Sequence, residues 1–249
     1  MEPLVTVITA TTGNPILARN IKSVASQTHK NVQHLIIVDG PERWDSVKEI
    51  LETVEVEFLH NVIVHCMPYS IGRDRWNGHR IYAAGTYIAE GQFIMYLDDD
   101  NMIHPSHISD CLKTIEAGNQ WAYSFRNIVD KEGTFLFEDN CENLGKWPSV
   151  LDENDFFIDV NCYFLPLLLA VQITPVWYRK FREPGQMEID RAISHVLRQI
   201  APKWDTTYNY TVDYTVGNSQ HSVQTTFFEK GNAEMLNRYN GELPWKKKE

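Results

Sequence analysis

Apolar residues come in short β-rich runs and in helical stripes that alternate through the first half of the chain. Leu4–Thr9 is a run of strand formers. Asn14-Pro15 then reads as a helix N-cap and first helical residue, with Leu17, Ile21, Val24 and Ala25 behind it at helical spacing. His34–Val38 predicts a second buried strand ending on Asp39-Gly40. A polar helix near Ser46–Thr53 and a third strand within Val56–Val64 follow. Ile81, Ala84, Gly85 and Ile88 predict a helix leading to the strand Phe93–Leu97, and Ile108, Cys111, Leu112 and Ile115 mark another, stopped by Gly118. Strands alternating with helices across short connections predict an α/β fold whose mostly parallel, Rossmann-like sheet is flanked by helices.

The second half is less regular. Trp121–Val129 and Thr134–Phe137 predict a hairpin around Asp130-Lys131-Glu132-Gly133, a small antiparallel part. Cys141–Asp155 reads as a loop, Phe156–Leu165 as a strand and Leu167–Ile173 as a short helix. Ile189, Ile193, Val196, Leu197 and Ile200 mark an amphipathic helix. After Pro202 the chain is rich in Thr, Tyr and Asn, with weak periodicity. No linker or internal repeat interrupts it, so one domain over residues 1–249 is expected.

The chemistry concentrates at Asp98-Asp99-Asp100-Asn101, which follows the apolar run Phe93–Leu97 without a spacer. Three adjacent carboxylates repel one another, and placing them where a buried strand meets solvent raises the desolvation cost of each. A hard divalent cation with oxygen ligands is the natural compensation. His104-Pro105 behind the run reads as a helix start, and that helix turns His104 and His107 away from the acids. Thr9, Thr11, Asp39 and Asp98–Asp100 fall at the carboxyl ends of the first, second and fourth predicted strands. In a parallel sheet those ends share one edge, where ligands bind.

A formal net charge of −10 and a pI near 5.4 argue against nucleic acid as a partner. An acidic protein that takes a phosphate-bearing substrate needs local positive charge, from a metal or a few placed arginines. Cys66, Cys111, Cys141 and Cys162 show no metal-ligand spacing and predict free buried thiols in a reducing compartment. No secretory signal pattern opens the sequence, and the most apolar window, Cys162–Val171, is too short for a transmembrane segment. A cytoplasmic location is expected. The Lys246-Lys247-Lys248 tail beside Trp245 is the one feature suited to peripheral contact with an anionic membrane.

Four pieces of sequence resemble the glycosyltransferases of the GT-A fold, and most of all the family 2 type. Val5-Thr6-Val7-Ile8-Thr9-Ala10-Thr11 is similar to that family's first strand and base-binding loop. Leu35-Ile36-Ile37-Val38-Asp39-Gly40 is similar to the second strand with its nucleoside-binding aspartate. Gly91 to Asn101 resembles the strand carrying the D-x-D motif, and Met187-Glu188-Ile189-Asp190-Arg191 opens a helix where the family places a catalytic carboxylate. The match covers about the first 100 residues well, as an ordered set of motifs.

The resemblance implies a nucleotide-sugar-binding half over 1–101 and an acceptor-binding half over 102–249. It implies that Asp39 accepts a hydrogen bond from base or ribose, with Thr9 and Thr11 lining that pocket. Asp98 and Asp100 would hold ribose and cation respectively, with Asp98 also among the metal ligands, Asp99 supporting and His221 adding a nitrogen ligand. The cation would be Mn2+ or Mg2+. Arg80, with Arg73 and Arg75 nearby, would contact the diphosphate, although the family's Arg-Asn pair is replaced here by Asn77-Gly78-His79-Arg80. Asp190, or failing it Glu188, would be the base, and Asp159 and Asn161 would bind the acceptor sugar.

The expected activity is metal-dependent transfer of a sugar from a UDP- or GDP-type donor to a glycan or other hydroxyl acceptor, with inversion. Two alternatives stand beside it: a nucleotidyltransferase making sugar nucleotides, and a binding module without turnover. The loop Ala10-Thr11-Thr12-Gly13-Asn14-Pro15 has one glycine and no lysine to grip a triphosphate, which disfavours the first.

Overall fold

The computed structural model describes residues 2–73, 76–179, 189–218 and 223–246. The first strand, β1 (Val5–Thr11), is joined through α1 (Leu17–Ala25) to β2 (Val32–Val38), and that through α2 (Trp44–Thr53) to β3 (Val62–Cys66). α3 (His79–Ile88) leads to β4 (Phe93–Tyr96), which pairs with β1 so that Val5 faces both Val32 and Phe93. All pairings among these four strands are parallel. Asn14 starts the α1 region one turn early: its side chain accepts from the backbone N–H of Ile16, and the regular helix begins at Leu17. The third strand starts later than its apolar run suggests, because Val56–Phe58 forms a 3-10 turn and Val56 is exposed.

After the acidic run come the short β5 (Met102–Ile103), α4 (His107–Glu116), β6 (Trp121–Val129) and β7 (Phe135–Glu138). Then follow β8 (Tyr163–Pro166), α5 (Leu167–Trp177), α6 (Ile189–Ile200), β9 (Trp204–Thr215) and α7 (Thr225–Arg238). The strand order is β3-β2-β1-β4-β8-β6-β9-β5, with β7 also on β6. β8 runs antiparallel to both β4 and β6 and bridges the two halves of the curled sheet. The predicted strand over Phe156–Leu165 reduces to β8 alone; residues 160–162 form a 3-10 turn capped by the Asp159 side chain.

The weakly periodic region after Pro202 holds a twelve-residue strand and a helix. Its pattern was illegible because β9 pairs with β6 through register shifts near Tyr123–Arg126, and Tyr208 sits at a left-handed φ of 60°. The shift between Phe125 and Arg126 adds one residue to β9 and flips the side-chain parity that an alternating pattern needs, while the shift between Tyr123 and Phe125 adds two and breaks the pairing without changing parity.

β2 shows why the sheet is covered on both faces. Leu35 and Ile37 belong to the main core, while Ile36 and Val38 join Leu17, Ile21 and Val47 of α1 and α2 in a smaller one. Successive residues of a strand point to opposite faces, so both parities must be apolar. Three cysteines are buried as expected, but Cys66 is exposed. Trp245 is fully buried against Trp147 and Tyr239 and donates to Asn140 Oδ1, while Lys246 pairs with Glu138. Both are engaged within the fold, and Lys247 and Lys248 of the tail lie outside the described residues. Among the described residues no helix is long and apolar enough to cross one.

α7 docks through a glycine. A Cβ on Gly231 would lie 2.7 Å from Cys141 Sγ and 2.8 Å from its Cβ. Gly231→Ala should therefore lower the urea midpoint by an amount equivalent to about 1–3 kcal/mol, although alanine is ordinarily the better helix residue by about 0.5–1 kcal/mol. A raised midpoint would contradict this docking.

Candidate active site

The carboxyl ends of β1, β2 and β4 open into a cleft of about 400 Å³. Its lining includes Thr11, Thr12, Asp39, Asn77, Gly78, Asp98–Asn101, Tyr214, Thr215 and Asn218. The strand ends converge as the parallel topology requires. Four aspartates line this cleft, and among the described lining residues there is no lysine or arginine.

Asp39 closes one side. Its carboxylate accepts from Ser70 Oγ (2.9 Å), Ile71 N (2.7 Å) and Gly72 N (3.1 and 3.2 Å), so it pins the 70–72 loop against the end of β2. Gly72 permits that approach: a Cβ there would meet Asp39 Oδ2 and Asn77 O at 2.6 Å. Thr11 is also on the cleft and donates to Asp99 Oδ2 at 2.6 Å. Thr9 does not reach it. Two residues back from the strand end, Thr9 is wholly buried with its hydroxyl 2.9 Å from His34 Nε2, and burial holds that imidazole neutral by lowering its pKa to about 3.

The acidic run is held by neutral donors. Tyr82 donates to Asp98 Oδ1, and Asn161 Nδ2 to Asp98 Oδ2 at 2.9 Å, while Asn161 Oδ1 accepts from the Asp98 backbone N–H at 2.6 Å. Asn218 donates to Asp100 Oδ2 and Thr215 to the Asp100 carbonyl. Burial pushes Asp98 up to about 6 and Asp100 up to about 7; neighbouring carboxylates add to both, and the amide and hydroxyl donors only partly offset it. Asp99 is raised too, again chiefly by burial.

Asp159 and Asn161, expected to bind an acceptor sugar, are buried and lie outside the cleft lining. Asp159 is buried and accepts from Arg126 Nη1 (2.5 Å) and from Asn161 Nδ2 (2.7 Å). A chain Arg126–Asp159–Asn161–Asp98 thus supports the acid run from within. Arg126, 1% exposed in the middle of β6, also donates to Asp139 (2.8 Å) and Glu142 (2.7 Å) and stacks over Tyr214 at 4.3 Å. Burial raises Asp159 more than Arg126 lowers it. Asp139 is just as buried yet ends below the usual carboxylate range, because Arg126 and the backbone N–H groups of Cys141, Glu142 and Asn143 outweigh desolvation.

Arg80 lies over Trp76, its guanidinium carbon 3.6 Å from the ring centroid and 4.9 Å from that of Tyr178. It is not part of the cleft lining, and Arg73 is drawn off by exposed Glu42 at 2.9 Å. Asp190, in the first turn of α6, comes close enough to Asp98 for its charge to add to the raising of Asp98. Glu188, His221 and Arg75 lie outside the described residues. His104 pairs with Asp213 and His107 with Thr211, so both face β9 and turn away from the acid run as expected. The supporting residues Tyr82, Arg126, Tyr214 and Asn218 escaped sequence reading; of these, Arg126 carried a signal, as a lone charge inside an apolar β run.

Sheet order and cleft together define a GT-A glycosyltransferase fold. The structure of S. aureus TarS 1–349 matches with TM-score 0.60 at 14% identity, covering 95% of this chain and 71% of that one. Its complex with UDP-GlcNAc matches with TM-score 0.61 at 13% identity, covering 95% and 72%. The mannosyltransferase PcManGT from Pyrobaculum calidifontis, in complex with GDP-Man and Mn2+, matches with TM-score 0.58 at 10% identity, covering 98% and 66%. The chain spans 43% of the TarS structure without that truncation. A search of curated proteins gave no match. The sequence fits the model for glycosyl transferase family 2 over residues 6–161, more than half of the chain, and the protein belongs to that family. It is a glycosyltransferase.

The buried ionic hub gives a direct test of this architecture. Arg126→Met removes the cation that Asp139, Glu142 and Asp159 share, leaving Glu142 with Arg191 at 3.2 Å but Asp139 and Asp159 without a basic partner among the described residues, and should cost about 3–5 kcal/mol in denaturant unfolding. The deficit should shrink as pH falls, since the orphaned carboxylates then take up protons in the folded state. A variant as stable as the parent would show that the hub carries no such load.

Proposed function

We propose that the protein moves a sugar from a nucleoside-diphosphate sugar, of UDP or GDP type, to a hydroxyl of a glycan or other acceptor, by direct displacement with inversion. The observation that carries this is the lining of four aspartates without a basic side chain among the described residues. Such a cleft takes a diphosphate only together with a cation. The complexes of structural neighbours with UDP-GlcNAc and with GDP-Man and Mn2+ support the donor class.

The residues fit a divalent ion. Asp98 and Asp100 offer hard oxygen ligands; burial and then neighbouring carboxylates raise their pKa values, and the surrounding hydroxyls and amides offset this only in part. Among the described residues no group of three His, Cys, Asp or Glu side chains converges as a complete metal cage. Mg2+ and Mn2+ do not need one, being commonly held by one or two carboxylates with substrate phosphates and water. When bound, the cation would neutralise charge developing on the departing nucleoside diphosphate.

The chain supplies the rest. Thr11 and the loop pinned by Asp39 form the wall against which a nucleoside would lie, and Asp98 is held for the ribose by Tyr82 and Asn161. Asp190 takes the acceptor proton as that oxygen attacks the anomeric carbon and the bond to the diphosphate breaks. Arg80, clamped by aromatic rings outside the lining, would act on the diphosphate only after moving.

Incubation with a panel of nucleotide sugars and Mn2+ should release free nucleoside diphosphate. Asp100→Ala should abolish Mn2+-dependent binding of UDP or GDP by calorimetry, and unchanged affinity would reject the cation site.

A second test uses pH. With folded pKa values above the ordinary 3.8, Asp98 and Asp100 hold more protons folded than unfolded between about pH 4 and 7. Their contribution to stability therefore declines as pH rises through that window. Mn2+ should raise the melting temperature clearly at pH 8 and little at pH 5.5. An equal shift at both would place the ion elsewhere.

A further inference from the structure

Buried polar atoms without partners are rare in folded proteins and ask for a reason. Among the described residues, His79 Nδ1, Arg80 Nε and Asp190 Oδ1 are all buried without a hydrogen-bond partner. His79 and Arg80 open α3, and Asp190 opens α6. His79 Nε2 lies 3.6 Å from Asp190 Oδ1, and the imidazole stacks on Trp177 with centroids 5.7 Å apart and planes 29° apart. Trp177 is wholly buried and also meets the rings of Tyr82 and Tyr96, so the imidazole rests on a fixed surface. The Asp190 side chain is 30% exposed while its Oδ1 is buried, so the exposure belongs to the remainder of the group.

We propose that His79 is a positioning residue for Asp190: its Nε2–H closes on Asp190 Oδ1 when substrates bind and turns Oδ2 toward the acceptor hydroxyl. This rests on the reading of Asp190 as the base. The separation of 3.6 Å is longer than a hydrogen bond, as catalytic contacts often are before substrate binds. A proton on Nε2 leaves Nδ1 a bare acceptor, in keeping with its lack of a donor. In the transfer step the acceptor oxygen bonds to the anomeric carbon as the carbon–oxygen bond to the diphosphate breaks. The hydroxyl proton passes to Asp190 Oδ2, and His79 keeps its own. The imidazole therefore orients the carboxylate and takes no part in the proton balance.

The test combines kinetics with a spectroscopic reading that needs no substrate. On the nucleotide sugar and acceptor that turn over in the panel, His79→Ala should lower kcat by about a hundredfold, the scale of a reacting group set out of line. Donor KM and calorimetric affinity for UDP or GDP with Mn2+ should stay within twofold. His79→Gln, which keeps an N–H within reach, should recover most of the rate, and a thermal melt identifies any variant that fails to fold. Asp190→Asn should lose activity by itself, with no further loss when His79→Ala is added. Nitrogen-15 spectra of the parent protein should show the His79 proton on Nε2. Full activity in His79→Ala, an additive double variant or a proton confined to Nδ1 would overturn the proposal. Full activity in Asp190→Asn would instead reject the base assignment on which it stands.

Discussion

The structure depends on negative charge gathered at the end of β4 and left without a cation among the described residues around it. Asp98, Asp99 and Asp100 sit half-buried together at the cleft, and their hydrogen-bond partners among the described residues are hydroxyls, amides and backbone. Burial raises the free energy of each ionised carboxylate, and proximity raises it again. A chain that keeps such an arrangement needs strong support elsewhere. Arg126 provides it at one remove, through Asp159 and Asn161, without spending its own charge on the acid run. The cleft thereby stays poised to receive positive charge from outside.

That division of labour explains where sequence reading succeeded. Parallel strands deliver their ends to one edge whatever loops intervene, so Thr11, Asp39 and Asp98–Asp100 could be placed together from strand periodicity alone. Thr9 belongs to the same strand but sits too far from its end; the pattern gives a side chain's face, not its distance from the edge. Asp159 and Asn161 were legible as polar residues near the site, but not their burial behind it. Residues 160–162 form a tight turn rather than a strand, and the turn points both side chains inward to Arg126 and Asp98.

The second half resisted for a different reason. β9 is dominated by Thr and Tyr, and four of its five buried positions fall in two adjacent pairs rather than alternating. Register shifts against β6 produce those pairs, and no local window of sequence records the partner strand. α7 has little amphipathic contrast and seats itself through Gly231 against Cys141, a contact fixed by tertiary structure. Arg80 shows the same limit in the first half: a sequence can supply an arginine, but only packing reveals the Trp76 and Tyr178 rings around it.

Trp177 touches both sides of this arrangement. One face of its surroundings is His79, beside Asp190; another is Tyr82, which holds Asp98. In the proposed reaction Asp98 serves the donor and Asp190 the acceptor, and both would share a single indole as their footing. A smaller side chain at 177 would loosen the supports of Tyr82 and His79 at once, so on the proposed roles evolution of new sugar pairings in this scaffold would meet less resistance around Trp177 than at it.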